Sequence, residues 1–161
     1  MLATGYARPP TGALAYPVLN KPYTFADLSR KLGELMKSEN AMRILVVEDE
    51  SLIRLDVVDA LRERGFEVEE AASASAAKRT LDAVKGEIGA LIVDLGLPDQ
   101  KGDDLAAEIR VKHPQLPIVI ASGYSGQAVQ TRFRADPFVA FVEKPYNVGQ
   151  LEDAISRLRG K

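Results

Sequence analysis

The 161 residues hold 46% hydrophobic and 27% charged side chains, the balance of a soluble globular chain with room for one full domain and an appendage. Twenty-one Lys and Arg against 23 Asp and Glu leave a net charge of −2, too small for a global field that would hold nucleic acid or an anionic membrane. Zero Cys excludes disulfides, thiolate metal sites and Cys nucleophiles, and the single His, His113, excludes multi-His metal centres. No apolar run nears the roughly 18 residues of a bilayer span and no leader pattern opens the chain, so a cytoplasmic protein is expected.

Residues 1–40 carry five basic and three acidic side chains, and their clearest periodicity, Phe25, Leu28, Leu32 and Leu35, predicts a helix over 25–37. A short polar joint follows at 36–42. From Arg43 onward, short apolar runs alternate with longer amphipathic stretches, the pattern of repeated βαβ units and a parallel sheet. Runs 44–47, 90–93, 117–121 and 139–142 are continuously apolar, as expected of central or nearly central strands covered on both faces. Phe66-Glu67-Val68-Glu69 alternates instead and suits an edge strand. Helices are predicted over 51–64, 74–84, 102–112, 125–134 and 148–159. The first shows Leu52, Leu55, Val58 and Leu61 at three-residue spacing. Gly65 marks the end of that helix and Pro114 the end of the third.

Internal similarity explains the first 40 residues. Leu2-Ala3-Thr4-Gly5-Tyr6 parallels Ile120-Ala121-Ser122-Gly123-Tyr124, and Val18-Leu19-Asn20-Lys21-Pro22-Tyr23 parallels Phe141-Val142-Glu143-Lys144-Pro145-Tyr146. The segment therefore resembles the last two βα units of the main domain without the three that precede them. We expect a partial copy over 1–40 and a complete domain over 42–161. The copy has Thr4 and Lys21 but no acidic cluster, and half a sheet buries too little surface to fold alone, so a remnant of duplication or fusion is the simpler account. The alternative is a regulatory segment docked through its apolar helical face.

In an open parallel sheet, ligands bind at the carboxyl ends of the strands, near the point where strand order reverses. The predicted strands end in Glu48-Asp49, in Asp94, in Ser122 and in Lys144. With strand order 2-1-3-4-5, Glu48, Asp49 and Asp94 converge, and three carboxylates in one place call for a divalent cation. Oxygen-only ligation with retained waters favours Mg²⁺. An ionised Asp beside Mg²⁺ is a competent nucleophile toward phosphorus, which makes Asp94 the candidate phosphoacceptor. The Lys144 ammonium and the Ser122 hydroxyl then serve the equatorial oxygens of the transferring group, and Gly96 can turn its carbonyl toward the metal without steric cost.

These motifs, Leu45-Val46-Val47-Glu48-Asp49-Glu50, Asp94-Leu95-Gly96-Leu97-Pro98-Asp99 with Gly102, Ala121-Ser122-Gly123 and Lys144-Pro145, resemble the receiver domain of two-component response regulators over residues 43–159. The resemblance implies a flavodoxin-like, doubly wound α/β fold with a five-stranded parallel sheet, order 2-1-3-4-5, and five helices. It also implies phosphorylation of Asp94 by a sensor histidine kinase or histidine phosphotransfer protein, and Mg²⁺ held by Glu48, Asp49, Asp94 and the Gly96 carbonyl. Ser122 would be the switch hydroxyl, Lys144 the phosphoryl contact and Pro145 a cis-proline. Phe141 stands where the family has its switch aromatic and lacks a Tyr hydroxyl. Such a protein is a phosphoacceptor switch rather than an enzyme. It would signal to a downstream protein, or to a second copy as a homodimer, through helix 4, strand 5 and helix 5, without nucleic acid or membrane as a partner.

Only two residues follow the fifth predicted helix, so no attached output domain is expected. The positions two beyond Asp94 and two beyond Ser122, Gly96 and Tyr124, offer no carboxylate or amide to orient water, which implies a long-lived phosphoryl state. Singly, each residue has an ordinary explanation: acids cap helices, Asp and Ser form turns, and Lys is a solvated charge. Their joint placement at successive strand ends does not. A constitutive binding module is one rival, tested by Asp94→Asn. An aspartyl-intermediate phosphohydrolase is another, disfavoured because Gly96 stands where such enzymes carry a second carboxylate.

Overall fold

The computed structural model describes residues 41–84, 87–123 and 127–160. The partial copy expected at 1–40, and Tyr124, lie outside them. Five strands and five helices alternate: β1 (Arg43–Val47), α1 (Ser51–Glu63), β2 (Glu67–Ala71), α2 (Ala74–Ala83), β3 (Ala90–Asp94), α3 (Gly102–Lys112), β4 (Ile118–Ser122), α4 (Gln127–Arg132), β5 (Val139–Glu143) and α5 (Val148–Arg159). The strands form one parallel sheet in the order β2-β1-β3-β4-β5, the flavodoxin-like arrangement the sequence implied.

Because strand side chains alternate, each apolar run divides between two cores. Leu45, Val47, Leu91, Val93, Ile118 and Ile120 face the cluster built by α2, α3 and Phe133. Ile44, Val46, Ala90, Ile92, Val119 and Val142 face α1 and α5. Fully buried aliphatic side chains of this kind contribute about 1.5–3 kcal/mol each relative to exposure. The helix ends follow local chemistry. Gly65 closes α1 at φ +90°, a conformation that lacks a Cβ penalty only for glycine. Asn147 and Gln150 form a reciprocal capping box at the start of α5.

The continuous apolar run at 139–142 forms β5, the edge strand that the order 2-1-3-4-5 implied. Its apolarity reflects cover on both faces, with Val139 and Phe141 on one core and Ala140 and Val142 on the other. In α1, Leu52 and Leu55 are 76% and 52% exposed, while Val57, Val58 and Leu61 are buried. Strict three-residue spacing drifts by roughly 60° per step around a helix of 3.6 residues per turn, so four such residues cannot share one face. Ile53, Val57, Val58 and Leu61 form the packed stripe instead. A smaller difference is that α4 ends at Arg132, followed by a turn through residues 133–135.

Candidate functional site

Register places the acids. Val47 pairs with Val93 between the adjacent β1 and β3, so one residue further Glu48 and Asp94 stand side by side at the carboxyl rim of the sheet. Asp49 follows in the β1–α1 loop, and carboxylate oxygens of Glu48, Asp49 and Asp94 lie within 4.8 Å of one another. Across the sheet the Lys144 backbone N–H donates to the Ser122 carbonyl at 2.8 Å, docking the end of β5 on the end of β4. From there Lys144 Nζ reaches both Glu48 Oε2 and Asp94 Oδ1 at 2.8 Å. Asp94 Oδ2 accepts the Gly96 N–H at 2.9 Å, and Glu48 Oε1 accepts the Glu50 N–H at 3.3 Å.

The electrostatics follow from burial and company. Glu48 is 3% exposed, and its desolvation pushes its carboxyl above the ordinary range against the pull of Lys144. Burial works to lower the Lys144 ammonium, but the hydrogen bonds it donates to Asp94 and Glu48 outweigh that and hold the lysine above its ordinary value. One ammonium thus pairs with two of the three carboxylates, Glu48 and Asp94. Asp49 is exposed and Glu48 buried, so the cluster has one dry side and one wet side. An all-oxygen set with room for water fits a hard divalent cation.

Four of the sequence-predicted residues, Glu48, Asp49, Asp94 and Lys144, are brought together. Ser122 is buried at the end of β4, one residue beyond the Ala121 that pairs with Asp94. Gly96 adjoins the cluster through its N–H. The Lys144–Pro145 peptide is cis. Phe141 does not join the group: half-buried, it packs on the α2–α3 core and lines a groove with Gln127, Gln130 and Phe133 beneath α4.

Several supporting residues escaped the sequence reading. A Cβ on Gly102 would sit inside the contact distance of the Asp94 carbonyl oxygen, and 2.8 and 2.9 Å from Asp94 C and Leu95 Cα. The motif contained this glycine, but nothing in the sequence gave its contact. Asp99 accepts the backbone N–H groups of Ala74 and Ser75, both at 2.9 Å, and ties the loop after Asp94 to the start of α2. Tyr146, two residues beyond the lysine, is a half-buried phenol with its pKa raised chiefly by desolvation. The Lys-Pro-Tyr run was its only signal.

The family model described as the response regulator receiver domain matches residues 44–156. The chain belongs to the response regulator receiver family. The receiver is 30% identical over 136 residues to the sensor kinase CckA of Brucella abortus, an alignment covering 84% of this chain and 14% of the kinase. It is 35% identical over 122 residues to the transcriptional regulatory protein PdtaR of Mycobacterium tuberculosis, covering 73% of this chain and 58% of that protein. It therefore spans only part of the length of these relatives. A response regulator receiver domain from Clostridium thermocellum superposes with a TM-score of 0.68 at 26% identity, over 74% of this chain and 94% of that one. Among the described residues, no helix is long and apolar enough to cross a membrane.

Proposed function

We propose that this receiver accepts a phosphoryl group on Asp94 from a sensor histidine kinase or histidine phosphotransfer protein in a Mg²⁺-dependent reaction. The observation that carries the reading is the Asp94 carboxylate, held at 2.8 Å from the Lys144 ammonium within a cluster of three acids. Glu48, Asp49, Asp94 and the Gly96 carbonyl would hold the cation. When bound, Mg²⁺ would offset the excess carboxylate charge and draw phosphoryl oxygens to the rim. An Asp94 oxygen attacks phosphorus as the bond from phosphorus to the donor imidazole nitrogen breaks. Lys144 exchanges its Asp94 contact for a phosphoryl oxygen while keeping Glu48. Ser122 supplies a hydroxyl donor from the next strand.

Leu52 and Leu55, exposed on α1 just beyond Asp49, offer an apolar footing beside the reacting group for a donor protein. Output is assigned to α4, β5 and α5. The six residues of α4 include none that is buried, so little core packing opposes its displacement when Ser122 and Phe141 rearrange. Its described tether is Arg132, which reaches Asp103 at 2.6 Å and Asp104 at 2.7 Å on α3. Gly96 provides no side chain to orient water, which supports a slowly hydrolysed phosphoryl state; rapid decay of labelled protein in Mg²⁺ alone would contradict it. Residues 1–40 we read as a duplicated remnant, so truncation before Met42 leaves phosphorylation kinetics and stability unchanged.

The deciding experiment is incubation with acetyl phosphate, with and without Mg²⁺, followed by intact-mass measurement. One phosphoryl adduct is expected, dependent on Mg²⁺ and absent from Asp94→Asn. An adduct retained by that variant would sink the assignment.

A further inference from the structure

Arg54 lies on α1, five residues beyond Asp49, and its guanidinium turns back under the β1–α1 loop. Nη1 donates to the Glu48 carbonyl at 2.7 Å and to the Asp49 carbonyl at 3.3 Å. Nε donates to Glu70 Oε2 at 3.2 Å on β2. The side chain is 17% exposed, so this fork is largely shielded from competing water. The Glu48 carbonyl belongs to the peptide plane before the Asp49 Cα, and the Asp49 carbonyl to the plane after it. Holding both planes fixes the φ and ψ of Asp49 and leaves its side chain only rotamer freedom. That constraint has work to do, because Asp49 is exposed and like charge on Glu48 and Asp94 repels it toward solvent.

We propose that Arg54 is a positioning residue for the cation site: it pins the two peptide planes flanking Asp49 so that the Asp49 carboxylate stays within reach of Glu48 and Asp94. The inference rests on the reading of that acidic cluster as a Mg²⁺ site. Its sign distinguishes it from simple electrostatics. A guanidinium near the cluster repels a cation through space, so loss of its charge alone would tighten Mg²⁺ binding. Loss of a fixed loop weakens it. Supporting groups behind metal ligands typically govern affinity by about 10–100-fold.

The test is Mg²⁺ titration followed by backbone amide NMR shifts in the 48–50 loop, for the wild type, Arg54→Ala and Arg54→Lys. Thermal melts in EDTA check folding. Arg54→Lys keeps the charge but loses the planar fork, so it separates position from charge even where Arg54→Ala folds poorly. We expect the Mg²⁺ dissociation constant to rise about tenfold in both variants. The Mg²⁺ concentration for half-maximal phosphorylation by acetyl phosphate should rise in parallel, with little change in rate at saturating Mg²⁺. An unchanged constant in Arg54→Lys, or tighter binding in Arg54→Ala, overturns the positioning role and leaves the cation site standing. Absence of any Mg²⁺ response in the wild type overturns the cation site and this role with it.

Discussion

The two rims of the sheet use the same kind of contact to opposite ends. At the amino rim, Arg110 of α3 donates through Nε to Asp136 at 2.7 Å, through Nη1 to the carbonyls of His113 and Pro114 at 2.9 Å, and through Nη2 to the Phe138 carbonyl at 3.1 Å. Asp136 in turn accepts the Phe138 N–H at 2.9 Å. One cation meets one carboxylate, every guanidinium nitrogen donates, and both side chains are only 16–17% exposed. At the carboxyl rim, Lys144 is a quarter exposed and faces a surplus of acids. A charge-balanced, saturated pair is a fastener. An unbalanced one is incomplete, and its deficit is what a cation and a phosphoryl group can address.

The comparison breaks most visibly under Arg110→Ala. That change leaves Asp136 and three carbonyls without their donor, and it should cost about 3 kcal/mol in urea denaturation, independent of Mg²⁺. Lys144→Ala should cost less in EDTA, about 1–2 kcal/mol, since solvent reaches the ammonium. Added Mg²⁺ should recover much of that loss, whereas it recovers none at Arg110. Equal rescue at both rims would erase the distinction. Asp49→Asn should go the other way, stabilising the metal-free protein by about 0.5 kcal/mol through relief of repulsion while removing the Mg²⁺-dependent rise in melting temperature.

The smallest effect concerns acid. Backbone N–H groups of Ser75 and Ala74 hold the Asp99 carboxyl down at about 2, from an ordinary 3.8. Because the folded value lies below the unfolded one, this contribution is present above pH 3.8 and lost as pH falls through about 2. Asp99→Asn should therefore flatten the fall in stability between those limits, as followed by circular dichroism, and leave stability at neutral pH nearly as sensitive to Mg²⁺ as before.

What could be read from residues alone was whatever repeats or sits at an element's end. Apolar runs located the strands, and the rule that ligands gather where strands finish led from Glu48, Asp94, Ser122 and Lys144 to one rim. The exposure of Leu52 and Leu55 was hidden because three-residue spacing imitates a helical stripe over one step yet drifts by roughly 180° in the three steps from Leu52 to Leu61. The contacts of Arg54, Asp99 and Arg110 left no trace for another reason. Each acts on backbone groups of a distant or adjoining loop, and backbone atoms are the same whatever the sequence, so no pattern of residue types encodes the pairing. The edge position of β5 followed from the strand order, and cover on both its faces accounts for a run as apolar as a central strand's.

Gly102 carries one mechanical consequence. The first residue of α3 rests directly on the Asp94 peptide, with no side chain between them and no gap to take up. Atoms already touching cannot be pressed closer, so a movement of the Asp94 main chain toward α3 pushes directly on that helix.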